Sequence, residues 1–203
     1  MSYSDFTLEA AEREFGVMAQ EADLFPCLGA APVPDWLPAS LARGKGFALI
    51  SEKARSEFIV VPILLAARQL CHDRFTIYSG QRLDVAPDRG LAGECDFILA
   101  AAPPVPLLRA PLITIVEAKK NDIEAGLGQC AAQMIAARLF NEQAGKPLRH
   151  VFGCVTTGEA WQFLRLEPAA LSIDQTRYYI DRIDKILAVF QAIVDEAQPE
   201  PGP

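Results

Sequence analysis

Histidine is scarce in this chain, with two residues, His72 and His150, among 203. Neither sits in an HExxH or comparable ligand pattern, so zinc chemistry and a His-activated serine or cysteine nucleophile find no support. Both read as ordinary residues at element edges. Paired cysteines are missing too: Cys27, Cys71, Cys95, Cys130 and Cys154 are scattered, without a CxxC pair or a zinc spacing, and read as free, mostly buried thiols. No run approaches the roughly 18 apolar residues that a membrane span needs. The opening MSYSDFTLEAAEREF lacks a basic region followed by an apolar core. A cytoplasmic protein with no membrane partner is expected. Basic charge is also in short supply. The net charge of −7 cuts against a protein that coats nucleic acid through a basic face, though it is compatible with carboxylates that hold metal ions. No helix-turn-helix, zinc finger, ATPase motif or clear basic groove interleaved with aromatics is visible.

What is present is apolar material. At 51% hydrophobic and 22% charged, the chain is long enough for one well-buried domain with a small appendage. Residues 1–50 read as a helix, LEAAEREFGVMAQEADL, and a Pro-rich arm packing on the main body. The main domain spans 51–196. Within it, SEKARSEFIVVPILLAARQLCH carries Phe58, Val61, Leu65 and Leu70 near helical spacing, with Pro62 expected to kink or interrupt it. FTIYSGQRLDV and GECDFILAA read as strands of a meander, and LITIV as a third. GLGQCAAQMIAARLFNEQAG predicts a helix with a stripe through Leu127, Ala131, Met134 or Ile135, and Leu139. HVFGCVTT and EAWQFLRL predict two more strands, TRYYIDRIDKILAVFQAIVDEA a closing helix, and 197–203 a disordered tail. The order gives an α/β fold, a single domain with a central mixed β-sheet flanked by helices.

The informative stretch is LITIVEAKK, Leu112 to Lys120. Residues two apart on a strand share a face, so Glu117 and Lys119 point the same way, above Ile113 and Ile115, and Lys120 points away. Asp96, within Cys95-Asp96-Phe97, is an acid in a buried-looking strand and needs a partner. On neighbouring strands, Asp96 and Glu117 converge. Two close carboxylates repel, and a divalent cation keeps both ionised. Oxygen ligands without His or Cys favour Mg²⁺ or Mn²⁺. A lysine on that face orients water or steadies phosphate charge, which together is equipment for phosphodiester hydrolysis.

Asp96 followed, after twenty intervening residues, by Glu117-Ala118-Lys119 resembles the PD-(D/E)XK signature of the restriction-endonuclease-like nucleases. The resemblance covers roughly residues 50 to 166. It implies the restriction-endonuclease-like fold, a Mg²⁺-dependent (or Mn²⁺-dependent) nuclease acting on nucleic acid, DNA foremost, and a homodimer or a targeting partner protein. It implies Asp96 and Glu117 as metal ligands and Lys119 as catalytic. Glu57 stands where many such enzymes carry a further acidic ligand. Gln129, ten residues after Lys119, resembles the glutamine that several exonuclease and resolvase branches place beside the site. Two positions depart: Cys95 replaces the proline, and Gln133 the tyrosine of the exonuclease branch.

Other residues receive quieter readings. Glu94 is a candidate neighbour or replacement for Asp96, and Asp84 a turn residue. Trp161 and Phe163 are core, and Thr156, Thr157 and Gly158 are candidates to line the site. Two rivals to the nuclease remain. One is a catalytically inactive nuclease-fold binding or scaffold subunit of a defence or repair complex. The other is an enzyme for some other phosphoester.

Overall fold

In the computed structural model, which describes residues 2–197, the chain passes through α1 (Leu8–Phe15), β1 (Met18–Ala22), α2 (Trp36–Gly44) and α3 (Glu52–Arg55). A π-helical turn (Ser56–Val60) joins α3 to α4 (Val61–Leu70), and β2 (Thr76–Arg82), β3 (Glu94–Ala100) and β4 (Leu112–Ala118) follow. The chain continues with α5 (Glu124–Gln143), β5 (Val151–Thr156), β6 (Ala160–Leu166), β7 (Ala170–Tyr179) and α6 (Ile183–Glu196). The seven strands form one mixed sheet in the order β1-β7-β6-β5-β4-β3-β2. Pairing is parallel at β1/β7 and β4/β5 and antiparallel elsewhere. Two apolar clusters, one on each face, make this a single α/β domain with helices on both sides of its sheet. Among the described residues no helix is long and apolar enough to cross a membrane.

One face carries α2, α4 and α6 through Leu37, Ile63 and Phe190. The other carries α5, which is buried nearly all round, from Cys130 to Ala137. Its outer side is covered by the N-terminal arm, with Tyr3 and Phe6 in the same cluster. Gly128 makes that approach feasible. A Cβ there would lie 2.4 Å from Phe6 O. The stripe expected for α5 is therefore too narrow, because sheet and arm clasp the helix from opposite sides.

Several expected elements are corrected. MAQEA is an edge strand, β1, rather than the end of the first helix; its residues are good helix formers, and pairing with β7 overrides that preference. TRYY belongs to β7, and the closing helix begins only at Ile183. The α-helix through 51–72 is interrupted just upstream of Pro62, by the π-helical turn. Lacking an N–H, Pro62 cannot bond the carbonyl of Phe58, and the chain widens upstream, with the Val61 N–H donating to Ser56 O. The extra residue rotates the apolar face. Ile59, Val60, Ile63, Leu64 and Ala67 are buried, while Leu65 is 47% exposed.

A bulge changes one more reading. Leu99 pairs with Thr114, but Ala100 pairs with Leu112, so Ile113 is an inserted residue. Ile113 thereby joins the α4–α6 cluster, while Ile115 faces the α5 side. Residues 198–203 of the expected tail lie outside the described residues; Ala197 caps α6.

Candidate active site

β3 and β4 run antiparallel with Phe97 opposite Val116. The paired register ends there, and Asp96 and Glu117 are the next residues on the two strands. The hydrogen bonding fits this placement. Asp96 Oδ2 accepts from the Ala118 N–H at 2.7 Å, so a carboxylate replaces the ladder where the strands part. Lys119 stays tied to the sheet on the other flank, its N–H donating to Thr156 O at 2.7 Å.

Glu117 is 3% exposed. Its Oε1 accepts from Lys119 Nζ at 2.9 Å, and its Oε2 from Gln133 Nε2 at 3.0 Å. Lys119 Nζ also donates to Gln129 Oε1 at 2.9 Å. Gln129 and Gln133, four apart on α5, lie on one helix face, and that face lies over the end of β4. Gly126, one turn earlier, keeps the approach open. A Cβ there would stand 2.6 Å from Val155 Cγ1 and 3.1 Å from Lys119 Cγ. The glycine gives the lysine stem its channel between helix and strand.

The electrostatics are those of a crowded acid pair. Burial, then repulsion from Asp96, pushes the Glu117 carboxyl up to about 7, against the pull of Lys119 and its hydrogen bonds. Asp96 is also raised, chiefly by burial, with Glu52 and Glu94 adding to the effect and the Ala118 N–H opposing it. Burial disfavours the charge on Lys119, yet Glu117, Glu52 and Asp96 together hold its pKa above the ordinary lysine value.

Glu117, Lys119 and Gln129 are thus joined by hydrogen bonds, and Asp96 bonds the backbone between the first two. Glu57 stands apart from their hydrogen bonds, on the π-helical turn. Its side chain is 53% exposed, 4.0 Å from Lys53, and lines a cleft of about 410 Å³ that also contains Asp96. Glu52 is an acid that the sequence reading passed over. Its Oε1 accepts from the Lys120 N–H at 3.2 Å, and it acts on both Asp96 and Lys119. Glu94 is exposed on the same cleft. Gln133 was the other omission. Its position four residues after Gln129 was the available signal, since one helical turn puts both amides on one face.

The remaining candidates play structural parts. Thr156 Oγ1 donates to Ala160 O, closing the β5–β6 turn. Arg55 donates to Thr157 O, linking α3 to that turn. Trp161 and Phe163 are fully buried. Asp84 accepts from Arg82 and from the Gly93 N–H in the β2–β3 connection. His150 bridges Glu167 and Glu196, and His72 takes a left-handed φ of 53° after α4. Four cysteines are buried and free, and Cys27 is exposed.

Among the described residues no group of three or more His, Cys, Asp or Glu side chains is disposed to hold a metal ion. The donors on offer are the Asp96–Glu117 pair, carboxylates without imidazole or thiolate, which suit a hard cation such as Mg²⁺ or Mn²⁺. Burial is the first cause of both raised pKa values, and repulsion from neighbouring acids, Asp96 on Glu117 and Glu52 and Glu94 on Asp96, adds to it. No protein family model matches the chain, and no curated protein matches it.

Proposed function

We propose that the protein is a metal-dependent nuclease of PD-(D/E)XK type with a restriction-endonuclease-like core, hydrolysing phosphodiester bonds in nucleic acid, DNA foremost. The observation that supports this reading is a buried Glu117 bonded to Lys119, with Asp96 of the adjacent strand bonded to the Ala118 N–H between them. Asp96 and Glu117 would hold Mg²⁺ or Mn²⁺, and the ion, when bound, polarises the phosphoryl oxygen and lowers the pKa of water. The other tasks fall to the chain. Gln129 and Glu117 fix the Lys119 ammonium between them, in position to steady charge building on the phosphate. Gln133 fixes the rotamer of Glu117.

Purified protein incubated with supercoiled plasmid and with single-stranded DNA in Mg²⁺ or Mn²⁺ tests the reading. Cleavage that Lys119→Ala lowers by about 10²- to 10³-fold, the cost of removing one stabilising donor, is the expected result. No cleavage of either DNA, or cleavage unchanged in Lys119→Ala, overturns it.

A second reading has an observation of its own. Both Glu117 oxygens already accept hydrogen bonds within the protein, an arrangement that would also suit an inactive nuclease-fold scaffold subunit. The two readings separate on whether Mn²⁺ raises the melting temperature.

A further inference from the structure

Two surface depressions meet at Glu57. One is the acid cleft containing Asp96; the other, about 440 Å³, is walled by Trp36, Phe47, Phe58 and Pro62 with Arg43 at its edge. Its rings are left in water. Trp36 is 40% and Phe47 56% exposed, whereas the other tryptophan, Trp161, is fully buried.

Both exposed rings are nonetheless held in place. The Trp36 indole N–H donates to Gln69 Oε1 at 2.8 Å. Phe47 stacks on Phe58 with centroids 4.4 Å apart and planes 14° from parallel. Phe58 is itself backed by Gly44, where a Cβ would lie 2.4 Å from Phe58 O. The result is a pair of rigid flat faces whose ordering cost was met during folding.

The segment that carries these rings differs in charge sign from the molecule, and within it Arg43 and Glu57 line the groove. Residues 36–60 carry four basic side chains, Arg43, Lys45, Lys53 and Arg55, against Glu52 and Glu57, in a chain of net charge −7. Arg43, Lys45 and Lys53 are all exposed.

We propose that this groove holds an unpaired base of a single-stranded nucleic acid, stacked against Phe47 and Trp36, with the adjoining phosphates on Arg43 at its edge and Lys53 in the adjoining cleft. The inference rests on the nuclease reading of the neighbouring site and names its substrate class. Flat aromatic faces among cations bind bases without regard to sequence, because every base has a π-face. A duplex keeps those faces stacked inside and has none to offer Phe47. The depressions share Glu57, so a strand lying in the aromatic groove continues into the acid cleft.

Fluorescence anisotropy on the full chain in EDTA, where no cutting occurs, measures the binding. The probes are a labelled single-stranded DNA oligonucleotide, the RNA of the same sequence, the DNA duplex, and a strand of abasic residues. The base-bearing single strand is expected to bind more tightly than duplex or abasic strand and to quench Trp36 emission. Comparison of the DNA and RNA arms identifies the preferred sugar. Phe47→Ala, which removes an exposed ring, is expected to weaken the base-bearing strand by about 5- to 100-fold and leave the abasic strand unchanged. An abasic strand bound as tightly as the base-bearing one overturns the proposal, as does unchanged binding in Phe47→Ala. Cleavage of single-stranded DNA that ignores Phe47 leaves the nuclease reading standing and removes this one. Phe47-dependent strand binding with no cleavage in Mg²⁺ or Mn²⁺ does the reverse.

Discussion

Gln133 Nε2 reaches from the buried side of α5 to Glu117 Oε2 at 3.0 Å, while its own Oε1 has no partner. A buried amide that satisfies one acid and leaves its own oxygen unsatisfied is explained by that acid. Gln133→Leu should destabilise the fold by about 1–3 kcal/mol, the cost of an unmade bond to a buried group. The loss should be larger at pH 8, where Glu117 is ionised, than at pH 5. Urea melts at the two pH values check this, and equal losses would assign Gln133 to packing alone.

Metal binding should be visible in stability. Mn²⁺ at 100 times its dissociation constant should stabilise the protein by about 2.7 kcal/mol through mass action, read as a rise in melting temperature. Asp96→Asn should abolish the rise. A wild-type melt indifferent to Mn²⁺ would favour the scaffold reading.

The acid pair also sets a pH dependence for the metal-free protein. Glu117 has a folded pKa raised to about 7 from an ordinary 4.5, so the fold binds its proton more tightly than the unfolded chain does. That stabilisation is complete below the unfolded value and is lost as pH rises through the folded one. Melting temperature in EDTA should therefore fall between about pH 4.5 and pH 7. Glu117→Gln should flatten the fall, and a slope that persists in this variant would place its source elsewhere.

Gly126 links helix packing to the lysine. Gly126→Ala puts a methyl 2.6 Å from Val155 Cγ1 and 3.1 Å from Lys119 Cγ. Overpacking of this kind costs about 1–3 kcal/mol. Displacement of Lys119 should lower kcat more than it raises KM. Steady-state kinetics at a temperature well below the melt separates that effect from simple instability.

How much of this was legible in the sequence depends on which interactions decide each residue. β3 and β4 announce themselves because strands covered on both faces are apolar throughout, and an acid in such a strand stands out. Asp96 and Glu117 stood out that way, Lys119 by its two-residue spacing from Glu117, and Gln129 only through the resemblance. β1 was not, because MAQEA has a partner 152 residues away and a helical preference of its own. The π-helical turn hides in the missing N–H of Pro62. The sequence pointed to Glu57, whereas it is Glu52 that bonds the Lys120 N–H and acts on Asp96 and Lys119. The aromatic groove went unseen since Trp36 and Phe47 are separated by a helix and meet Phe58 only in space.

The edge pairing of β1 with β7 carries a consequence for how the protein is made. Met18 lies opposite Ala170, and at a synthesis rate of about 5–20 residues per second that partner follows it by roughly 8–30 seconds. The N-terminal arm waits as well, because its seat on α5 begins at Glu124. On the ribosome, the first twenty-odd residues are early in order and last to settle. The sheet is sealed only when nearly the whole chain has emerged, so a nascent fragment has an unfinished scaffold around Lys119.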